Sequence, residues 1–170
     1  MPKTFEQFIN ELKLKKIAVI GAGVSNIPLI KMLTDLNYDI TLFDQREKEQ
    51  LNEDIQKLIT KEKLKISLGE KYLEKLESFD IIFRSPSLLP NNKYLQKAKA
   101  KGAIITTEIE EVIRYAPCKT IGITGSKGKT TTTTIISHIL KNIGYQVYTG
   151  GNIGTPLFNQ IKEMKKEDIV

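Results

Sequence analysis

Between Gly125 and Thr134 the chain reads GSKGKTTTTT, two glycines framing a serine and a lysine, then a second lysine and five threonines. Glycines free backbone amides to turn toward an anion, lysine adds a point charge, and a threonine hydroxyl is a hard ligand for Mg²⁺. That set suits the tail of a nucleoside triphosphate. Gly125, Ser126, Lys127, Gly128, Lys129, Thr130 and Thr131 would wrap the phosphates, with Lys129 reaching the β and γ phosphates and Thr130 holding the metal. Lys129 and Thr130 are therefore the candidate catalytic residues. The strict GxxxxGK[ST] pattern is not met, because Ile123 stands where its first glycine belongs. The plainer alternative is a helix whose first amides are capped by hydroxyls. Capping accounts for one or two threonines, which are poor helix formers, but not for GKTT directly after an apolar run.

A second glycine turn lies in IAVIGAGVSNIP, residues 17–28. Such a turn between a strand and a helix lets backbone N–H groups approach a pyrophosphate, which the positive helix end also favours. Gly21 and Gly23 match the first two glycines of GxGxxG, whereas Asn26 replaces the third, a change expected to loosen helix-to-strand packing. Asp44 follows Gly21 by 23 residues, at the end of the next apolar run, where a carboxylate could accept from a ribose or a base. A third stretch, YTGGNIGTPL, has glycines at 150, 151 and 154 and an Asn152 able to donate and accept. It leaves a predicted strand at the edge where open parallel sheets bind ligands. His138, the sole histidine, falls off the apolar stripe of its helix and reads as an exposed surface residue.

Elements of a particular kind are needed to position these loops. Short β-branched runs alternate with helical patterns, the layout of βαβ units on a parallel sheet. Strands are predicted at 17–21, 40–44, 65–68, 80–84, 103–106, 120–124 and 146–149. A helix after Asn26 keeps Ile27, Ile30, Leu33 and Leu36 on one face, with Pro28 in its first turn and Asn37 as its C-terminal cap. Another runs from the threonines through Ile135, Ile136, Ile139, Leu140 and Ile143 until Gly144 stops it. A boundary is predicted near Thr107. Residues 1–107 form a Rossmann-like parallel-sheet domain, and 108–170 begin a second, P-loop domain in which Ile169 and Val170 open a buried strand. The chain therefore reads as an N-terminal piece of something longer, and its open second sheet predicts self-association into a dimer.

Composition narrows the classes. The 170 residues are 40% hydrophobic and 27% charged, ordinary globular usage. Cys118 has no cysteine partner and the first residues lack the apolar core of a signal peptide, so a reducing cytosol is expected. No apolar run approaches the roughly 20 residues that cross a bilayer, so no membrane is expected. The net charge of +6 comes from lysines scattered among apolar and acidic residues, which argues for solvated faces and against nucleic acid as a partner.

On these residues the chain resembles the Mur ligase family, and its D-glutamate-adding members in particular. GITGSKGKTTTT is similar to the family's ATP loop, TGTNGKT, which departs from the strict pattern in the same way. GGNIGTPL is similar to a loop of the D-glutamate-adding members, and FRSPSLLPNN followed by AKAKGAIITTEIE resembles their SPGIP segment and domain junction. The resemblance implies a Rossmann-like UDP-binding domain, a central ATPase domain and a C-terminal domain in the complete enzyme. It implies ATP and Mg²⁺ as cofactors and UDP-N-acetylmuramoyl-L-alanine and D-glutamate as substrates, in peptidoglycan precursor synthesis by a monomeric cytoplasmic enzyme. By matching positions, Val24 and Ser25 would meet the diphosphate, and Asp44, Gln45 and Arg46 the uridine end. Ser85 and Ser87 would close over the uracil and Asn152 would approach the pyrophosphate and sugar, with Ser87 standing where the family usually has glycine. The implied chemistry is amide formation through an acyl phosphate. The remaining catalytic groups would lie beyond Val170, so these residues alone are expected to be inactive. Two rival readings are a stand-alone nucleotide-binding or regulatory module and an NAD-dependent dehydrogenase.

Overall fold

In the computed structural model, residues 3–151 and 156–170 are described. Five parallel strands, β1 (Ile17–Ile20), β2 (Ile40–Asp44), β3 (Lys65–Leu68), β4 (Ile81–Phe83) and β5 (Ile104–Thr106), form one sheet in the order β3-β2-β1-β4-β5. The order reverses at β1, which pairs with both β2 (Ile17 opposite Ile40) and β4 (Ile17 opposite Ile81). Loops leaving β1, β2 and β4 therefore meet at the C-terminal edge, at the switch point where doubly wound sheets bind ligands. Every residue of β1 and β2 is buried, as strands covered on both faces must be.

One face of the sheet is covered by α1 (Phe5–Leu12), α2 (Asn26–Asp35), α3 (Glu53–Thr60) and α5 (Glu108–Tyr115), and the other by α4 (Lys93–Ala100) and the loops around Leu73 and Leu76. α1 is a helix that the strand-by-strand reading passed over. Its Thr4 and Gln7 form a reciprocal capping box, and Phe5, Phe8, Ile9 and Leu12 face the core at helical spacing. Asn37 after α2 takes φ 54°, the left-handed cap expected of it, and Gly144, at φ 98°, ends α6 (Lys129–Asn142).

The second part departs from expectation. No regular strand forms at 120–124 or 146–149. Instead Ile169 makes isolated parallel bridges to Lys119 on one side and Val147 on the other. The Val170 amide donates to Lys119 O at 2.9 Å and the Tyr148 amide to Ile169 O at 2.9 Å, so the predicted strand at Ile169 is the middle of three chain segments. Regular strands fail here because cover is missing among the described residues: Ile121, Ile135, Ile139 and Ile143 are all exposed, and α6 buries no residue. What holds this part is a 3₁₀ helix, Phe158–Glu163, whose Phe158 and Ile161 insert into the core beneath α2 and α5.

Candidate functional site

At the switch point a cleft of about 600 Å³ is lined by Gly21, Gly23, Asp44, Gln45, Arg46, Tyr72, Ser85, Ser87 and Leu88, with Ile20 and Phe43 as its floor. Gly21 lies at φ 86° with its amide donating to Phe43 O at 2.7 Å, and a methyl group there would come 3.3 Å from Ser85 Cβ. The turn thus needs glycine both for its conformation and for the close approach of the loop after β4. Val24 and Ser25 occupy the turn before α2 but are not among the lining residues, and Val24 is 77% exposed.

Asn26 corrects the expectation of loosened packing. It is buried, and its Nδ2 donates to both Ile20 O and Gly21 O at 3.0 Å, stapling α2 to the end of β1. The amide does by hydrogen bonding what a third glycine does by close contact. Asn26→Ala should leave these carbonyls unpaired and lower unfolding stability by about 1–2 kcal/mol, measurable by urea titration. An unchanged midpoint would dismiss the staple.

Asp44 is the organising charge. Its Oδ2 accepts from the Ala22 amide at 2.8 Å and Arg46 Nη2 at 2.7 Å, and its Oδ1 from the Arg46 amide at 3.0 Å and Arg46 Nε at 2.9 Å. Arg46 Nη2 also donates to Ala22 O at 3.2 Å, which locks the arginine against the glycine turn. Burial pushes the Asp44 carboxyl up, but the hydrogen bonds from Arg46 and the two amides outweigh it, holding the group below the usual carboxylate range. Four donors fill the four lone-pair directions of the carboxylate. Asp44 accordingly shapes the cleft through Arg46 and the Ala22 amide, a role that its position at a strand end could not reveal.

Across the cleft, Ser85 Oγ and Ser87 Oγ lie 2.8 Å apart and present a pair of hydroxyls. Arg84, which sequence reasoning missed, secures their turn by donating from Nη1 to Leu88 O at 3.0 Å and Ser85 O at 3.3 Å. Tyr72 and Leu88 were also missed. Tyr72 signalled itself only by following a strand, whereas Leu88 falls within the stretch FRSPSLLPNN.

The Gly125–Thr131 loop stands apart from this cleft and open to solvent. Gly128 takes φ 80° at the N-cap of α6, and a methyl group at Gly128 would meet no atom within 4 Å. At Gly125 it would meet only the Lys127 carbonyl oxygen, at 3.6 Å. The bend is therefore neither turned inward nor plugged. Lys129 Nζ rests on its own loop, donating to Gly125 O at 2.5 Å and Ser126 O at 3.4 Å, and Thr130 is exposed in the first helical turn. Loop amides, an ammonium and a hydroxyl at a helix N-terminus fit a polyphosphate with its Mg²⁺. No cluster of three or more His, Cys, Asp or Glu able to hold a metal occurs among the described residues. His138 is exposed, as expected. Asn152 lies outside the described residues. No helix among the described residues is long and apolar enough to cross a membrane.

Comparison with known proteins places these sites in context. Residues 15–107 match the family described as Mur ligase MurD-like, N-terminal domain, and residues 123–169 match the Mur ligase middle domain. Over all 170 residues the chain is 48% identical to the UDP-N-acetylmuramoylalanine--D-glutamate ligase of Clostridium acetobutylicum and 50% identical to that of Clostridium novyi. It spans 37% of the length of each. Among solved structures, a pseudomurein peptide ligase type C from Methanothermus fervidus is 28% identical, with a TM-score of 0.48 over 91% of this chain and 32% of that one. With the two family matches covering both the five-stranded sheet and the glycine loop before α6, the chain belongs to the Mur ligase family and carries a MurD-like N-terminal domain.

Proposed function

We propose that this chain carries the UDP-substrate site and the ATP loop of a ligase that joins D-glutamate to UDP-N-acetylmuramoyl-L-alanine in peptidoglycan precursor synthesis. The division is residues 1–107 for the UDP-binding unit and 108–170 for the opening of the ATPase unit. The observation that carries the reading is the switch-point cleft, where a glycine turn at a helix N-terminus, an Asp44-locked Arg46 and the Ser85–Ser87 hydroxyl pair converge. Val24 and Ser25 meet the diphosphate at the start of α2, Gln45 and Arg46 face the uridine with Asp44 behind them, Ser85 and Ser87 close over the uracil, and Asn152 approaches the pyrophosphate and sugar.

The chemistry of such a ligase requires a carboxylate to approach a triphosphate, so neutralising charge is the main task of the protein. Gly125 to Thr131 wrap the phosphates of ATP with backbone amides. Lys129 would leave the Gly125 carbonyl and turn to the β and γ phosphates, and Thr130 would be the residue of this chain that holds Mg²⁺, whose chemistry when bound would be charge neutralisation at the phosphates. In the proposed step the alanyl carboxylate would take the γ-phosphoryl group with release of ADP, giving an acyl phosphate, and the amine of D-glutamate would then attack its carbonyl and displace inorganic phosphate to form the amide. The 170 residues alone are expected to show no ligase turnover, and the compartment of action is the cytoplasm.

Titration calorimetry on the chain with UDP and with NAD tests the reading. UDP heat without NAD heat is the expected result. NAD binding without UDP binding would favour a dehydrogenase, because the same glycine turn serves both nucleotides.

A further inference from the structure

Two aromatic side chains line the switch-point cleft, and they differ. Phe43 is buried as part of the floor, edge-on to Phe79 with ring centroids 5.1 Å apart. Tyr72 is half-buried in the loop after β3, where it packs against the α4-side core and lines the cleft. Its backbone is tied down: the amide donates to Gly69 O at 3.2 Å and the carbonyl accepts from Ser67 Oγ at 2.7 Å. Its hydroxyl makes no hydrogen bond to any described residue. A half-buried ring on a tethered backbone, lining a nucleotide-sized cleft with an O–H that no described residue engages, has the properties of a base platform.

The strand order says which part of a nucleotide would reach it. Along the C-terminal edge the loops run from Tyr72 after β3, through Gln45–Arg46 after β2 and the glycine turn after β1, to Ser85–Leu88 after β4. A diphosphate drawn to the amides at the start of α2 leaves the base to lie on the α4-side face, where Tyr72 and Leu88 are the two partly buried apolar groups that flank the cleft. We propose that the Tyr72 ring is the platform on which the base of a uridine nucleotide stacks, with Leu88 bounding the base across the cleft. The inference rests on the uridine reading above. Burial, and after it the Asp44 charge, push the Tyr72 phenol above its ordinary value, so it remains a neutral donor through physiological pH.

The test titrates UDP and, separately, inorganic pyrophosphate into the 170-residue chain and its Tyr72→Phe and Tyr72→Leu variants, following the uracil H5 and H6 resonances by NMR. In the unaltered chain and in Tyr72→Phe, ring current should move both resonances upfield on binding. In Tyr72→Leu that shift should vanish and the Kd for UDP rise roughly ten-fold, the scale of a lost base–aromatic stack, with pyrophosphate binding unchanged. UDP binding without any upfield shift in the unaltered chain overturns the platform while sparing the uridine reading. Failure of UDP to bind the unaltered chain overturns both. Because Phe43 also lines the cleft, the shift is assigned by NOEs from uracil H5 and H6 to the Tyr72 ring protons in the unaltered chain, and their absence overturns the platform even where Tyr72→Leu folds poorly.

Discussion

Replacing Phe158 with alanine is expected to lower the unfolding free energy by about 3–5 kcal/mol, seen as a clear fall in the urea midpoint and as faster tryptic cleavage at Lys162, Lys165 and Lys166. Phe158 is fully buried and meets Phe5 edge-on at 5.3 Å and Phe83 at 6.3 Å, so its ring bridges α1 and the inner strand β4. Among the described residues after α6, Leu157, Ile161 and Met164 are buried in the same core beside it, and α6 buries none of its own. Its backbone is held as firmly. The Phe158 amide donates to Glu108 Oε1 at 2.9 Å, giving the 3₁₀ helix an acceptor from α5 fifty residues earlier in the chain. Burial raises the Glu108 carboxyl, and the Phe158 and Leu157 amides offset only part of that rise. A carboxyl raised on folding favours the native state most below its unfolded pKa and loses that advantage as the pH climbs through the folded value. Glu108→Gln keeps an acceptor and removes the charge, so it should match or exceed the parent at neutral pH and converge with it in acid. A Phe158→Ala loss below about 1 kcal/mol would mean that the two parts of the chain are joined by something other than this insertion.

That anchor shows which features a sequence can disclose. β1, β2 and β4 were legible because strands buried on both faces must be apolar along their whole length, and the alternation with helices then dictates a parallel sheet that continues to the more exposed edge strands β3 and β5. The glycine turns were legible because φ near 80–90° at Gly21 and Gly128 is a backbone demand that few residues meet. Phe158 was not, because LFNQIKE has too few residues to display a period and its meaning depends on a core built 50–150 positions earlier. The predicted strands at 120–124 and 146–149 have the right composition, yet a strand is completed by its neighbours, and those supplied by the described residues amount to single bridges at Ile169. Within the site, residue types at strand ends announced themselves, whereas the partners that orient them did not. Asn26 looked like a defect in a glycine motif until its two carbonyl acceptors were known, Arg84 sat in a recognisable stretch without a visible role, and Tyr72 carried no motif.

The same distinction between contacting and orienting governs the second large effect, at Asp44. Asp44→Asn removes the charge beneath Arg46 and turns one acceptor oxygen into a donor facing the Ala22 amide or the guanidinium. Arg46 is 41% exposed at its side chain, so solvent recovers part of the loss, and the expected cost to stability is about 2–3 kcal/mol. The pH dependence has a definite sign. Because folding depresses the Asp44 carboxyl, its contribution is complete above the unfolded carboxylate value and disappears as the pH falls through the lower, folded one. Parent and variant should therefore differ most near neutrality and converge in strong acid, a direction opposite to that set by Glu108. UDP binding should fall as well, although Asp44 spends its lone pairs inside the protein, since an Arg46 released from Ala22 O and Asp44 no longer holds its place beside the glycine turn. If Asp44→Asn bound UDP as the parent does while losing stability, the arginine would be a structural clamp only, and uridine recognition would rest on Gln45, Tyr72 and the Ser85–Ser87 pair.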